Sequence, residues 1–550
     1  MTFRTFLLAT TVFTVAGALS AQAQTLSGKV SSAEEGLMEG VLVSAKKEGA
    51  TVTTTVVTND KGEFSFPAGR LEPGKYTIST RAIGYTLTGP KSVDVSASGT
   101  SADIKLGRAR NIAAQLSNGE WMLSIPGQDA FKASFMLDCQ GCHTLQRVFT
   151  ATHDAQEWKQ VFTRMGRYAP ETTPLHPQLI VQGGARSERP RVAANQMQQA
   201  AEYLEKVSIA NPDRLEYEFR TLPRPKGKAT KVVITEYDLP RKEAQPHDVV
   251  IDADGHAWYS DFGNQVVGEL DPKTGKVADY KLELLRPAQP KGSLDIELDP
   301  DGNLWIGMSY QGGASKIDRK TKKVTTYPLP EEWLDLTTQT NQVTPTNMYI
   351  DGKVWLSDNA TRNHYRLDIK TGKWDNIGQA KTAGGRVITG YGNPTDKDNN
   401  LFMLEFSGNS IGMRNAKTGE VKIWTTPNQR TRPRRGRFDD QGRLWFAEYA
   451  GNAVGVFDPA TERMKEYKMP SPWGNPYDAV PTKGGTEVWT GSMSNDLVSR
   501  INTKTEEVTE YLMPRTTNIR RVFVDETSGR PVLWIGNNHG AAIVKVEPQD

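Results

Sequence analysis

The sequence predicts a multidomain, mainly β chain: a small β-sandwich, a small all-α segment and a seven-bladed β-propeller. Three observations predict it. Between residues 231 and 550 an aromatic anchor recurs at Trp258, Trp305, Trp355, Phe402, Trp445, Trp489 and Trp534, at spacings of 43 to 50 residues. That period belongs to four-stranded propeller blades. Between 24 and 107, short runs alternate apolar and polar side chains between turn signals, the pattern of half-buried strands. Between 108 and 212 the apolar residues switch to helical spacing. Composition agrees: 49 Gly, 31 Pro and 37% hydrophobic residues among 550 suit a turn-rich β chain of roughly three domains.

The first 23 residues read as a secretory signal peptide. Arg4 supplies the positive charge, residues 6–19 the apolar stretch, and Ala21-Gln22-Ala23 a small-residue cleavage site. The mature chain is then expected to start near Gln24 and to be periplasmic or otherwise exported. The apolar stretch is short for a span of about 20 residues, and no later stretch is long and apolar enough to cross a membrane. A net charge of +3 argues against a nucleic-acid partner.

Within 24–107, residues 40–45 and 76–80 alternate, and Asn59-Asp60-Lys61-Gly62 and Pro73-Gly74 mark turns. Gly28-Lys29-Val30, Gly62-Glu63-Phe64, Leu71-Glu72-Pro73-Gly74-Lys75-Tyr76 and Ala82-Ile83-Gly84-Tyr85 give the segment its likeness. It resembles the carboxypeptidase regulatory-like domain, which implies a transthyretin-like β-sandwich. With no His or Cys in it, a structural or docking role is expected.

Helical spacing in the next segment covers 111–117 and 129–137. Cys139-Gln140-Gly141-Cys142-His143 follows and holds both cysteines of the chain. C-x-x-C-H is the attachment signature of a c-type haem: two thiols add to the porphyrin vinyl groups and the histidine becomes an axial ligand. Three other readings stay open: a local disulfide, a thioredoxin-like dithiol in a βαβ unit, or half of a zinc site needing further ligands. Residues 155–165 put Trp158, Val161, Phe162 and Met165 on one face, and residues 194–207 do the same with Ala200, Tyr203 and Leu204. This order of helices, with Trp158 and Met165 in a W-x6-M pattern after the motif, resembles a compact class I-like cytochrome c domain over 108–212. The resemblance implies one haem c held by Cys139 and Cys142, with His143 as proximal iron ligand. Met165, 22 residues beyond His143, is the distal candidate, although a methionine on an apolar face is also ordinary packing. Met197, His153, His176 and an open distal position are the alternatives.

The propeller repeat centres on D-G-x-[LAV]-W, as in Asp254-Gly255-His256-Ala257-Trp258, Asp301-Gly302-Asn303-Leu304-Trp305 and Asp351-Gly352-Lys353-Val354-Trp355, and several copies end in Tyr-x-[LM]-Pro. Residues 232–237 match the strands that end later blades, predicting that they close the ring and remove the sheet edges. Pro246-His247-Asp248-Val249-Val250-Ile251, Leu444-Trp445-Phe446-Ala447-Glu448 and Tyr237-Asp238-Leu239-Pro240 resemble the streptogramin lyase (virginiamycin B lyase) family. The resemblance implies a carbon–oxygen lyase in which a histidine acts as base and Mg²⁺ is held beside carboxylates. That family carries E-x-H, a Glu 14 residues later and a second His in the preceding blade. Here the matching positions are Gln245-Pro246-His247, Asp261, and Arg520 with Arg521, so the pattern is altered. His247 and Asp261 stand as the catalytic candidates, with Mg²⁺ or Ca²⁺ as the implied ion. Asp358, Glu405, Arg434, Arg435, Glu448, Tyr477, Asn537 and His539 occupy blade ends expected to converge on one mouth. Such a mixed mouth suits a small polar or anionic substrate, or a partner protein.

The expectation from these readings is an exported c-type haem protein, an oxidoreductase that passes electrons to a partner protein while its propeller binds a substrate or that partner. The alternative is a propeller-based lyase or hydrolase with a divalent-metal site.

Overall fold

The computed structural model of the chain describes residues 26–182, 185–186, 192, 194–210 and 217–550. The leader expected at 1–23 lies outside them. No helix among the described residues is long and apolar enough to cross a membrane.

Residues 26–108 form the expected sandwich. Phe64, Phe66, Val43, Tyr76, Ile78 and Ile104 lie in its core, contributed by the inward positions of alternating strands such as Gly74–Arg81.

Residues 231–550 form a ring of seven sheets, a β-propeller. Four-stranded sheets cover 246–281, 296–328, 433–468 and 480–512. The third blade gains a fifth strand at Val387–Ile388. The fourth has three ladder strands, with only bridges from Gly392 and Thr395 in place of an innermost strand. The repeat's turn chemistry explains its sequence. Gly255, Gly302, Gly352 and Gly442 take φ of +82°, +80°, +72° and +77°, a region glycine enters without strain. An aspartate six residues before the tryptophan accepts the indole N–H: Trp258 donates to Asp252 at 2.9 Å, Trp305 to Asp299 at 3.1 Å and Trp445 to Asp439 at 2.9 Å.

Ring closure follows the expectation and goes beyond it. Val232–Asp238 pairs antiparallel with the last strand, Ala542–Pro548, and Tyr237 stacks on Trp534 at 6.1 Å, as Tyr511 stacks on Trp489 in the blade before. The outer edge of the closing strand is not left open. Val52–Val57 of the sandwich pairs along it from Val233↔Val56 to Tyr237↔Val52, so one eight-stranded sheet runs from the last blade into the sandwich. This is strand addition between two domains of one chain, and it hides an edge that would otherwise template aggregation. Arg81 to Asp496 at 2.6 Å and a two-pronged Arg70–Glu547 pair at 2.9 Å reinforce the joint.

Among the described residues five α-helices lie between: α1 (Asn118–Ser124), α2 (Asp129–Cys139), α3 (Leu145–Phe149), α4 (Ala155–Met165) and α5 (Met197–Val207). The helix expected over 111–117 is corrected. Only a 3-10 turn at Ala113–Gln115 forms there, because Ser117 and Glu120 make a reciprocal capping box that starts α1 at the next residue. Asp154 and Glu157 cap α4 the same way. The helix expected from 194 begins at Met197. Trp121, Phe135, Phe149, Trp158, Phe162 and Leu204 share one core, and Tyr203 of α5 meets Phe131 and Phe135 of α2 edge-on.

Candidate functional site

The innermost blade strands start at one face of the ring and run to turns at the other, which are D-G turns at Asp254-Gly255, Asp301-Gly302 and Asp351-Gly352. The face of the strand starts is the near mouth; the face of the D-G turns is the far mouth. The helical segment sits on the near mouth.

The C-x-x-C-H stretch lies at that junction. α2 ends at Cys139, and the two residues between the cysteines are gripped by the propeller. Arg520 Nη2 donates to the Gly141 carbonyl at 2.8 Å, with His539 Nε2 3.4 Å from the same oxygen. Asn518 Nδ2 donates to the Gln140 carbonyl at 3.2 Å, and Gln140 Nε2 to the Tyr449 hydroxyl at 3.4 Å. Burial and the neighbouring Arg520 bring His539 down to about 3, so its imidazole is neutral. Leu137 of α2 packs on Tyr449, Tyr477 and Met493. α1 also touches the ring: Gly119 N–H donates to Ser494 O at 2.6 Å, and a Cβ there would lie 2.7 Å from Asn495 Cβ.

Under α2, Arg434 stands in a box of four rings, 3.9 Å from the Tyr477 centroid, 4.4 Å from Phe406, 4.5 Å from Tyr449 and 4.7 Å from Tyr391. Such a box is a cation site, here filled by the chain's own guanidinium. A line of polar contacts descends from it. Tyr391 and Tyr477 hydroxyls meet at 2.5 Å, Tyr477 meets His247 Nε2 at 3.0 Å, and His247 Nδ1 meets Asp248. Asp248 then meets Arg521 at 3.0 Å and Arg435 at 3.4 Å; both reach Asp295, and Arg521 also pairs with Glu297. Burial would raise Asp248, but Arg435 and Arg521 hold it below its usual range. Burial brings His247 down to about 3 and pushes Asp295 up despite the same two arginines. This ion network plugs the channel.

The other side of the motif faces a cleft of about 610 Å³ lined by Cys139, Cys142, His143, His153, Phe162 and Met165 among others. His143 Nδ1 lies 3.0 Å from the Thr144 carbonyl; since a carbonyl only accepts, the proton sits on Nδ1 and Nε2 keeps its lone pair. Of the alternatives to Met165, His153 lines the cleft, Met197 packs against the helical core, and His176 is outside the lining.

The remaining expectations need correction. His247 and Asp261 do not form a base-and-ion pair. Both nitrogens of His247 are engaged by Asp248 and Tyr477. Asp261 is paired with Arg241 at 2.7 Å and accepts N–H groups of Gln245, Gly263 and Asn264, so a guanidinium stands where an ion would need to be. Nor do the eight blade-end residues form one open mouth. Asp358 caps the turn N–H groups of Gln339, Ala360 and Thr361, Glu405 pairs with Arg386, and Asn537 accepts Gly540 N–H. Arg434, Glu448 and Tyr477 are buried and His539 is held against the motif. Arg435 belongs to the plug. Two causes act: the helical segment packs on Tyr477 and His539, while Asp358, Glu405, Asn537 and Arg435 are spent on other residues of the propeller. Among the described residues Asp252, His256 and Glu269 bring three ligand atoms within 4.8 Å, but Lys322 Nζ already pairs with Glu269 at 2.7 Å. Tyr391, Phe406, Tyr449, Gln140 and Asn518 are members of the junction that the sequence reading missed; the one signal for it was the paired arginines 434–435 and 520–521 on inner strands.

The family model of the carboxypeptidase regulatory-like domain matches residues 25–107. No curated protein matches the chain. Among solved structures, virginiamycin B lyase from Staphylococcus aureus is 18% identical with a TM-score of 0.48, covering 57% of this chain and 99% of its own. A streptogramin B lyase structure is 19% identical, TM-score 0.48, over 58% and 99%. YCF48 bound to D1 peptide is 13% identical, TM-score 0.43, over 57% and 95%.

Proposed function

We propose that the chain is an exported electron-transfer protein carrying one c-type haem on Cys139 and Cys142, with His143 as proximal ligand and the propeller as the rigid body that holds the attachment loop. The observation that carries this reading is the cleft beside the motif. Its volume falls in the range of roughly 300–1,000 Å³ usual for cofactor sites, its apolar walls include Trp158 and Phe162, and both cysteines and His143 face it.

The donor set fits the group. His143 offers Nε2 while Thr144 fixes its ring through Nδ1, the outer-sphere arrangement that orients a ligating imidazole. Met165 and His153 are side chains of the lining able to ligate from elsewhere in the cleft. When bound, the haem would supply one-electron redox chemistry. The chain's own residues exclude water with the α2 and α4 side chains and fix the loop through Arg520, Asn518 and His539.

The test is the haem spectrum of the exported, full-length chain. The reduced protein should show a c-type α-band that survives acid-acetone extraction, and Cys139→Ser with Cys142→Ser should abolish covalent attachment. A folded, exported chain without covalent haem would sink the reading. Met165→Ala should remove any methionine–iron charge-transfer band; its persistence would exclude Met165 as ligand.

A further inference from the structure

With the near mouth closed by α2, the propeller's accessible concavity is at the opposite end. A cavity of about 600 Å³ opens at the far mouth, lined by residues including Gln342, Thr344, Asn347, Asn393, Arg435 and Lys397. It shares no lining residue with the cleft at the motif.

Its wall contains polar groups left without partners among the described residues. Arg435 is 2% exposed. Its Nη1 is spent on Asp295 and Asp248, but Nε and Nη2 have no partner among the described residues. Among the described residues Gln342, 4% exposed, has an unpartnered Nε2, and Asn393, 3% exposed, an unpartnered Oδ1. A buried orphan donor or acceptor costs about 1–3 kcal/mol, so three residues of this kind around one cavity argue for something that completes them.

The donors also describe the ligand. Nε and Nη2 form one edge of the planar guanidinium fork, which a carboxylate fills with two parallel hydrogen bonds. Asp295 and Glu297 stand in the same wall with Arg437, Arg521 and Lys397, so inorganic phosphate is the anion to compare with a carboxylate. One amide donor and one amide acceptor beside Thr344 and Asn347 suit hydroxyl groups, which both give and take. We propose that the far mouth binds a small polyhydroxy carboxylate, with Arg435 anchoring the carboxylate and Gln342 and Asn393 reading hydroxyls. The proposal does not depend on the haem reading, and binding and haem content are measured separately.

The probe is D-gluconate, titrated calorimetrically into the full-length chain, with sorbitol (the hydroxyls without the carboxylate) and inorganic phosphate alongside. Saturable one-to-one binding of gluconate is expected, at least tenfold tighter than either comparison compound. Arg435→Lys should weaken it about tenfold. Gln342→Ala, which leaves the ion network intact, should weaken it about threefold and keeps the test decisive if the arginine variant does not fold. Gluconate binding no tighter than sorbitol or phosphate, or binding unchanged in Gln342→Ala, would overturn the proposal.

Discussion

The two mouths of the propeller are built on the same inner strands and end differently. At the near mouth the strand starts present aromatic rings, a caged arginine and N–H donors, and another part of the chain occupies them: Leu137 on the rings, Gln140 and Gly141 on the donors. At the far mouth the strand ends present arginines, carboxylates and amides around a cavity that none of the described residues fills. The comparison teaches that a blade-end residue's type does not say whether its mouth is a site. The same polar, arginine-rich composition serves as an internal clamp where a helix docks on it and as an open cavity where none does.

The largest effect should come from what separates the mouths. Arg521 neutralises Asp248, Asp295 and Glu297, so Arg521→Leu should cost about 3–5 kcal/mol, the usual penalty for stranding a buried charge. Denaturant unfolding measures it, and a loss below about 1 kcal/mol would mean the plug holds nothing. Leu137→Ala should cost about 2–4 kcal/mol, confined to the near mouth. Hydrogen exchange should quicken at residues 137–143 while the far-mouth strands keep their protection. Arg520→Leu removes a charge-assisted bond to the Gly141 carbonyl, worth about 1.5–3 kcal/mol; limited proteolysis should find the 139–143 loop more open, and equal cleavage rates would show that the clamp is not what holds it.

The smallest effect depends on pH. Burial, with Glu466 facing it, pushes Glu448 up to about 8 from an ordinary value near 4.5. A carboxyl whose pKa is higher in the folded state stabilises the fold below its unfolded value, and that contribution is lost as pH rises through the folded one. Stability should therefore fall between about pH 4.5 and pH 8. Glu448→Gln should flatten that slope and gain about 1–2 kcal/mol at pH 8.5. A parallel pH profile for wild type and variant would show that Glu448 ionises freely.

Much of this architecture was legible residue by residue. Trp258 to Trp534 announce seven blades because each blade must bury an aromatic between its neighbours, and the D-G pairs announce turns because only glycine takes their positive φ without strain. Residues 232–237 were readable as a closing strand, since they carry the same pattern as Val508–Leu512. That Val52–Val57 would continue that sheet was not readable. Alternation shows which face of a strand is buried, but both strand edges carry the same backbone groups whatever the side chains. The candidate site divides the same way. Cys139, Cys142 and His143 stand out by their spacing alone, and they line one cleft. His247, Asp261 and the blade-end residues could be assigned to blades but not to partners, because their partners lie tens to hundreds of residues away: Tyr477 for His247, Arg241 for Asp261, Gly141 for Arg520 and His539.

The sequence by itself determined the order of the segments, the blade number, the turn positions and the place of the chemically distinctive motif, since each is encoded by local periodicity or by covalent spacing. Only the tertiary structure decided which mouth is closed, which arginines are clamps and which is left with an unsatisfied edge. Those outcomes depend on packing α2 against a ring built from residues as distant as 391 and 520, and no local pattern carries a contact of that range.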